Sequence, residues 1–247
     1  MVGRAAVITG AASGIGLACA EKFAAAGWGL VLVGRSVTVL DAVAARVGRE
    51  ATPVCGDVAI ASTSRQAVAA ALERFGRLDA VVGNAGVTLA KSVDDTTELE
   101  LEHLIAVNVK GLVYLAQASH AALGRSRGSF IVMASNKGLV AQRRSPIYVA
   151  TKGAAVQLAR ALALDWAPEG IRVNALCPGL VDTPMLEAFL SELPNPELAR
   201  RELTAEQPLG RLARAGECAD VALFLASPAS SFVSGVALPV DGGFTAQ

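Results

Sequence analysis

The chain carries Thr9-Gly10-Ala11-Ala12-Ser13-Gly14-Ile15-Gly16 directly after a short apolar run and directly before a helical pattern. The apolar run, residues 5–9, has the length and the branched side chains of a buried strand. Glycines in such a strand-to-helix turn let the chain reverse sharply and bring backbone N–H groups and a helix N-terminus to an anion such as a pyrophosphate. A tight turn without a ligand is the alternative that the glycines alone leave open.

The rest of the chain repeats the alternation of strand and helix. Apolar strand candidates lie at residues 5–9, 30–33, 52–55, 78–82, 129–134, 172–176 and 237–240. Helical patterns separate them, and parallel strands need such long crossovers. The predicted fold is therefore α/β: a doubly wound, mostly parallel seven-stranded sheet with helices on both faces, in a single domain over residues 1–247. Residues 185–208 fit the alternation poorly and are predicted to be a lid over the substrate.

Composition excludes several classes of protein. Of 247 residues, 53% are hydrophobic and 18% charged, and 22 basic and 22 acidic side chains cancel. A disordered chain would be less apolar and more charged, and a nucleic-acid binder would carry a basic excess. The longest uncharged run, residues 221–240, contains Pro228 and Pro239 and is predicted to be a helix, a loop and a strand rather than a membrane span. No signal peptide precedes the first strand, so the expected location is cytoplasmic, with no membrane partner.

The four cysteines give no support to a metal site. Cys19, Cys55, Cys177 and Cys218 are far apart, and no Cys-x-x-Cys pair occurs. We expect four scattered, buried thiols and no bound metal.

Tyr148 and Lys152 form a candidate pair for proton transfer. On a helix, residues four apart lie on one face, so this spacing places an ammonium beside a phenol. A phenol pKa of about 10 would have to fall to about 7, which takes roughly 4 kcal/mol of stabilisation of the phenolate. The ammonium and a low local dielectric would supply part of this stabilisation. An exposed lysine beside a half-buried tyrosine, without chemistry, is the alternative.

Several motifs together resemble the short-chain dehydrogenase/reductase family. They are Thr9-Gly-x-x-x-Gly-x-Gly16, Gly83-Asn84-Ala85-Gly86, Ser135 followed by Tyr148-x-x-x-Lys152, Pro178-Gly179 and Pro239-Val-Asp-Gly-Gly243. The resemblance spans nearly the whole chain. It implies a Rossmann-type fold, a nicotinamide cofactor, hydride transfer between the cofactor and a carbonyl or secondary alcohol, and a homotetramer.

The resemblance also implies roles for single residues. Tyr148 would be the general acid/base, and its pKa would be lowered by Lys152 together with the positive nicotinamide ring of the oxidised cofactor. Lys152 would also hold the nicotinamide ribose, and Ser135 would steady the substrate oxygen. Asn108, which interrupts an apolar helical stripe, would hold a water that links Lys152 to solvent. A turn serine and a satisfied structural amide are the alternatives for Ser135 and Asn108.

Cofactor-binding residues follow from the same motifs. Asp57 would contact the adenine, unless it only forms a turn, Asn84 would support the cofactor and Thr183 would bind the carboxamide. Gly83 departs from the asparagine usual at that position. The expected cofactor-binding residues are Gly10, Ser13, Gly14, Ile15, Gly16, Arg35, Asp57, Val58, Asn84, Ala85, Gly86, Tyr148, Lys152, Pro178, Gly179 and Thr183.

The end of the second strand favours NADP over NAD. A carboxylate at this position would bind an adenosine ribose, whereas the chain has Arg35 there, and a guanidinium suits a 2′-phosphate. Ser13 stands where many NADP-dependent relatives have a basic residue, which argues the other way. An Arg35 that stacks on adenine would be compatible with NAD.

Two other functions stay open from the sequence. A nucleotide sensor without chemistry would have no need of Tyr148 and Lys152, and an epimerase or dehydratase on nucleotide sugars would have a longer chain and a different glycine spacing. The substrate is a small molecule that the sequence does not specify. Lys137, Arg143 and Arg144 are expected to be solvated loop cations, although some of them could face the pocket mouth. His103 and His120 are assigned to structure or solvent.

Overall fold

The predicted sheet is present in the computed structural model, which describes residues 3–48 and 50–246. The strands are β1 (Ala5–Thr9), β2 (Gly29–Gly34), β3 (Ala51–Cys55), β4 (Ala80–Gly83), β5 (Ser129–Met133), β6 (Arg172–Pro178), β7 (Val181–Asp182), β8 (Ala213–Arg214) and β9 (Ala237–Val240). Seven of them form one sheet in the order β3-β2-β1-β4-β5-β6-β9, and every neighbouring pair is parallel. β7 and β8 pair separately, and the sequence did not predict them.

The strand order positions the site. β2 and β3 lie to one side of β1, whereas β4, β5, β6 and β9 lie to the other side. The direction in which strands are added to the sheet therefore reverses between β1 and β4. The loops at the carboxyl ends of these two strands separate there and leave a crevice, which is where open α/β sheets bind ligands.

Helices cover both faces, as predicted. They are α1 (Gly14–Ala25), α2 (Val37–Val47), α3 (Ala61–Phe75), α4 (Glu98–Ile105), α5 (Gly111–Ser126), α6 (Pro146–Trp166), α7 (Pro184–Ser191), α8 (Pro196–Ala205) and α9 (Ala215–Ala226). One buried core lies between the sheet and α3, α5 and α6, and a second lies between the sheet and α1, α2 and α9. Alanine and valine dominate the first core, whereas alanine and leucine are the commonest residues of the second, and the many small side chains let the helices approach the sheet closely.

The long uncharged run is a helix, a turn and a strand, as expected. α9 ends at Ala226, a 3-10 turn covers Pro228–Ser230, and β9 follows. The guanidinium of Arg172 donates to the carbonyl oxygens of Leu225 and Ser227 at 2.8 and 3.3 Å, which satisfies the end of the helix. Among the described residues, no helix is long and apolar enough to cross a membrane.

The expectation of four buried thiols is wrong for Cys55. Cys19, Cys177 and Cys218 are buried, whereas Cys55 is exposed. β3, which Cys55 ends, is an edge strand, so one of its flanks has no neighbouring strand. The Cys55 thiol donates to the carbonyl oxygen of Arg35 at 3.4 Å.

Candidate active site

The glycine turn after β1 is shaped so that only glycine fits at two of its positions. Gly10 has a φ of 65°, in the left-handed region that other residues rarely adopt. A Cβ on Gly16 would lie 2.1 Å from the carbonyl oxygen of Gly10. Ser13 is the N-cap residue of α1, yet its hydroxyl does not cap the helix. The turn thus presents backbone and a helix N-terminus to the crevice.

A cleft of about 270 Å³ opens at this turn. Its lining includes most of the predicted cofactor residues, namely Gly10, Ser13, Gly14, Ile15, Arg35, Asp57, Val58, Asn84, Ala85, Gly86 and Thr183. Gly16 does not line the cleft but sets its shape through the close approach to Gly10. Because the glycines have no side chains, the turn leaves space beside the helix N-terminus, and this space fits the pyrophosphate of a dinucleotide.

Thr9 and Asn84 join the glycine turn to the loop after β4. The Thr9 hydroxyl accepts hydrogen bonds from the amides of Asn84 and Ala85 at 2.9 and 3.0 Å. The Asn84 side chain donates to the Thr9 carbonyl at 2.9 Å. A Cβ at Gly83 would lie 2.7 Å from the Cδ2 atom of Leu112, so the asparagine that the family pattern has there would require the Leu112 side chain to move.

Asp57 and Arg35 lie at the ends of β3 and β2. The Asp57 carboxylate accepts a hydrogen bond from the Ala59 amide at 2.9 Å, so the predicted turn role is present while the residue also lines the cleft. Arg35 is exposed at the cleft, and the next residue, Ser36, caps α2 through its hydroxyl.

Tyr148 and Lys152 lie one turn apart near the start of α6, as predicted. The ammonium nitrogen of Lys152 is 5.7 Å from the centre of the Tyr148 ring. It donates a hydrogen bond to the carbonyl oxygen of Met133, at the end of β5, at 3.0 Å. Only 5% of Lys152 is exposed, so the alternative of a solvated lysine is wrong.

Burial shifts the pKa of both groups. It lowers the pKa of Lys152 to about 8, although the neighbouring Cys177 thiol acts in the opposite direction. It also raises the pKa of the Tyr148 phenol, and a hydrogen bond with Ser135 opposes this rise. The predicted lowering of the Tyr148 pKa required an oxidised cofactor in addition to Lys152. The protein's own groups by themselves have the opposite effect, because loss of water destabilises the phenolate.

Ser135 follows β5 and faces the same space as Tyr148. Its hydroxyl accepts a hydrogen bond from the Lys137 amide at 3.1 Å, so it also caps the short turn Asn136–Gly138. The expected position at the carboxyl edge of the sheet and the alternative of a turn serine are both correct.

Asn108 lies in a π-helical turn, Ala106–Lys110, between α4 and α5. Its side chain accepts from the Val87 amide at 2.9 Å and donates to the Val87 carbonyl at 2.9 Å and the Thr151 hydroxyl at 3.1 Å. These bonds satisfy the buried amide and tie the loop after β4 to the turn of α6 that holds Lys152. The role as a holder of water stays a prediction.

A second cavity, of about 140 Å³, contains the candidate proton-transfer residues and adjoins the cleft. Ser135, Tyr148, Lys152, Pro178 and Gly179 line it, and Ile15 and Thr183 line both spaces. The expected lid contributes Met185, Leu186 and Phe189. Glu192, just after α7, accepts a hydrogen bond from the Ala90 amide at 3.2 Å, so this segment reaches the loop after β4.

Sequence reasoning missed several residues of this cavity. Ser145, Gln142 and Thr88 line it. Lys137 lines it as well, so for this residue the alternative of a cation at the pocket mouth is correct and the expectation of a solvated side chain is wrong. Arg143 and Arg144 are exposed and do not line it. Ser145 had a usable signal, since it comes one helical turn before Tyr148. His120 stacks on Trp166 at 4.7 Å and His103 is exposed, both outside the site.

Comparisons with known proteins agree with this geometry. A family model described as enoyl-(acyl carrier protein) reductase matches residues 10–245. Galactitol 2-dehydrogenase (L-tagatose-forming) of Cereibacter sphaeroides is 39% identical over 98% of this chain and 95% of the relative. Meso-2,3-butanediol dehydrogenase of Serratia marcescens is 36% identical over 98% of this chain and 94% of the relative.

Solved structures are similar over their whole length. Levodione reductase superposes with a TM-score of 0.95 at 32% identity, with 98% of both chains covered. The 3-ketoacyl-(acyl-carrier-protein) reductase of Brucella melitensis, solved in complex with NADH, has a TM-score of 0.92 at 33% identity, with 98% of both chains covered. These relatives are named dehydrogenases and reductases.

Proposed function

The chain belongs to the short-chain dehydrogenase/reductase family of oxidoreductases, and on that premise we propose an NAD(P)-dependent enzyme with Tyr148 as its general acid/base. It interconverts a small carbonyl compound and the corresponding secondary alcohol. The observation that carries the proposal is the shared wall of the two cavities. The cavity with Ser135, Tyr148 and Lys152 adjoins the glycine-turn cleft through Ile15 and Thr183.

The cleft residues would hold the cofactor. The N-terminus of α1 would take the pyrophosphate, Asp57 and Val58 the adenine side, and Thr183 the nicotinamide end near Lys152. When bound, a nicotinamide supplies hydride exchange with the substrate carbon, which is chemistry that no amino-acid side chain provides.

The protein's own residues donate the proton and stabilise the group that has lost it. Because burial raises its pKa, the Tyr148 phenol is protonated at neutral pH and donates its proton to a carbonyl oxygen during reduction. Ser135 donates a hydrogen bond to the same oxygen. The Lys152 ammonium stabilises the phenolate that results, while Asn108 keeps the surrounding loop in place.

A substrate panel with matched tyrosine variants tests the proposal. Aldehydes, ketones and secondary alcohols are incubated with NADP(H) or NAD(H), and absorbance of the reduced nicotinamide is followed. Tyr148→Phe is expected to abolish turnover, whereas Tyr114→Phe, at a half-buried tyrosine of α5 outside both cavities, is expected to retain it. Nucleotide binding without any turnover that depends on Tyr148 would support the sensor instead.

We propose NADP as the preferred cofactor. Arg35 is the cation at the end of β2 that faces the cleft, and a guanidinium forms paired, charge-assisted hydrogen bonds with a phosphate. Arg35→Ala is expected to reduce kcat/KM for NADP by roughly 10- to 100-fold relative to NAD. Arg46→Ala, on the exposed face of α2, is the control. A wild-type preference for NAD that Arg35→Ala leaves unchanged would contradict the assignment.

Three architectural expectations belong to the same proposal: one domain over residues 1–247, a substrate lid at residues 185–208, and a homotetramer. The apolar contacts of Met185, Leu186 and Phe189 with the cavity support the lid. The homotetramer rests on the family resemblance alone. Light scattering of the purified protein tests the tetramer, and a monomer at micromolar concentration would contradict it.

A further inference from the structure

A buried hydroxyl in the substrate cavity has no hydrogen-bond partner within the described part of the chain. Ser145 lines the cavity and is only 2% exposed, and its hydroxyl oxygen is unpaired. A buried hydroxyl without a partner costs free energy, so such groups in proteins are usually paired with protein, water or ligand. The position of Ser145 makes a ligand the natural partner.

The N-terminus of α6 begins at the same point. Ser145 is its N-cap residue but makes no side-chain capping bond, and Pro146 at the first position has no N–H. The first turn contains no acidic residue that would neutralise the positive end of the helix dipole. The amides of Ile147 and Tyr148 therefore receive no side-chain cap. Together with the unpaired hydroxyl, this arrangement favours a negatively charged ligand group.

Lys137 supplies a positive charge to the same cavity. It lines the cavity, is partly buried, and its ammonium lies 4.1 Å above the centre of the Phe244 ring, which fixes its direction. Its backbone amide is bonded to the Ser135 hydroxyl, so it is two residues from the proposed reaction centre.

Nearby acidic groups do not neutralise Lys137 by direct contact. The Asp241 carboxylate accepts bonds from the amides of Gly243 and Thr245 and from the Thr245 hydroxyl. Glu206 is exposed at the end of α8, and no carboxylate of residues 3–48 or 50–246 lies within 4.0 Å of the Lys137 ammonium. The ammonium is thus available to a substrate.

We propose that Lys137, Ser145 and the N-terminus of α6 form an anion subsite that binds the carboxylate of the substrate. This inference rests on the proposed function and names its substrate class, a short oxo acid and the corresponding hydroxy acid. The reacting carbonyl lies at Ser135 and Tyr148, and the carboxylate lies a few bonds away at Lys137. The hydrocarbon part contacts the apolar wall of Leu180, Val181, Met185, Leu186 and Phe189.

The first experiment compares acids with their uncharged esters. Short 2-oxo and 3-oxo acids, each paired with its methyl ester, are reduced by the wild type, and kcat/KM for acid over ester gives the preference. Lys137→Gln is expected to lower that preference by roughly 10- to 100-fold, mainly through KM, because a charge-assisted bond is lost. Ser145→Ala is expected to lower it by about 3- to 10-fold.

Arg143→Gln is the matched control for net charge. It removes a cation from the segment between β5 and α6 that also contains Lys137, but Arg143 is exposed and lies outside the cavity lining. A preference that falls equally in Lys137→Gln and Arg143→Gln would mean general electrostatic attraction and would overturn the subsite. An ester preference in the wild type would overturn it as well.

The second experiment needs no turnover. Butanoate, which has a carboxylate but no reacting carbonyl, is titrated calorimetrically into the protein with NADP. Binding that weakens at least 10-fold in Lys137→Gln and stays within about twofold in Arg143→Gln supports the subsite. Absence of butanoate binding, or equal binding by all three proteins, would overturn it. Lys137-dependent binding without turnover that depends on Tyr148 would leave the subsite standing and refute the proposed function.

Discussion

Replacing Lys152 by methionine is expected to stabilise the protein at neutral pH while it removes activity. Burial of the ammonium lowers the pKa of Lys152 from 10.5 to about 8. The unfolded chain therefore binds a proton more readily than the folded one between these two values. Stability must rise with pH across this interval, because the cost of the buried charge is present in full below pH 8 and disappears towards pH 10.5.

The magnitude follows from the size of the shift. A change of about 2.5 pKa units corresponds to roughly 3 kcal/mol at about 1.36 kcal/mol per unit. Methionine fills a similar volume without charge, but it leaves the Met133 carbonyl without its bond from Lys152, which costs about 1 kcal/mol. Lys152→Met should therefore increase the free energy of unfolding by about 2 kcal/mol at pH 7.

Urea unfolding followed by circular dichroism, at several pH values from 7 to 9.5 and at one protein concentration, measures this difference. The advantage of the variant should shrink steadily above pH 8. Lys110→Met removes an exposed lysine and is expected to change stability by less than about 0.5 kcal/mol throughout. A Lys152→Met variant that is less stable than the wild type at pH 7, or a difference that does not vary with pH, would refute the reasoning.

Three further predictions concern the reaction, the glycine turn and the sheet. The kcat/KM for carbonyl reduction should fall as pH rises through about 8, because Lys152 loses its charge there. Alcohol oxidation should instead accelerate with pH, because the raised pKa keeps Tyr148 protonated at neutrality and oxidation needs the phenolate. A pH-rate profile that rises for reduction would contradict this prediction. Gly16→Ala should weaken NADPH binding at least 10-fold in a fluorescence titration, because the new methyl group would clash with the Gly10 carbonyl oxygen. Gly153→Ala is the control and should bind NADPH normally, since a methyl group there would have no described atom within 4 Å. Asp79→Asn should lower the free energy of unfolding, measured by urea denaturation, by about 2 kcal/mol. The buried carboxylate accepts hydrogen bonds from the Ala5 amide at 2.9 Å and the Arg77 guanidinium at 2.6 Å. An unchanged midpoint of the urea transition would show that these bonds contribute nothing.

The sheet was predictable because its signal is local. Strands buried on both faces must be short apolar runs, and each crossover repeats a helical period, so the alternation alone indicated seven strands and helices on both faces. The short pair β7 and β8 was missed because two residues do not form a recognisable pattern. Cys55 was misjudged because exposure at the end of an edge strand depends on strand order, which one segment does not reveal.

The site was predictable where spacing decides it and not where packing decides it. The interval between Tyr148 and Lys152 determines their arrangement on a helix. The π-helical turn at Asn108 has no comparable pattern, because the turn packs against α6, whose approach depends on the fold and not on the spacing of nearby residues. The pKa of Tyr148 depends on how completely the surrounding residues exclude water, and the orientation of Lys137 depends on Phe244, which lies more than a hundred residues away in the chain.

The most direct test of the central claim, that Tyr148 exchanges the proton in a nicotinamide-dependent reaction, is a single-turnover measurement. The wild type and Tyr148→Phe are each saturated with reduced cofactor and mixed with the best carbonyl substrate, and loss of nicotinamide absorbance is followed by stopped flow. The rate of the single turnover should fall by roughly 10²- to 10⁴-fold in the variant, while its affinity for the cofactor stays within about threefold. A Tyr148→Phe enzyme that keeps a tenth or more of the wild-type rate would contradict the claim.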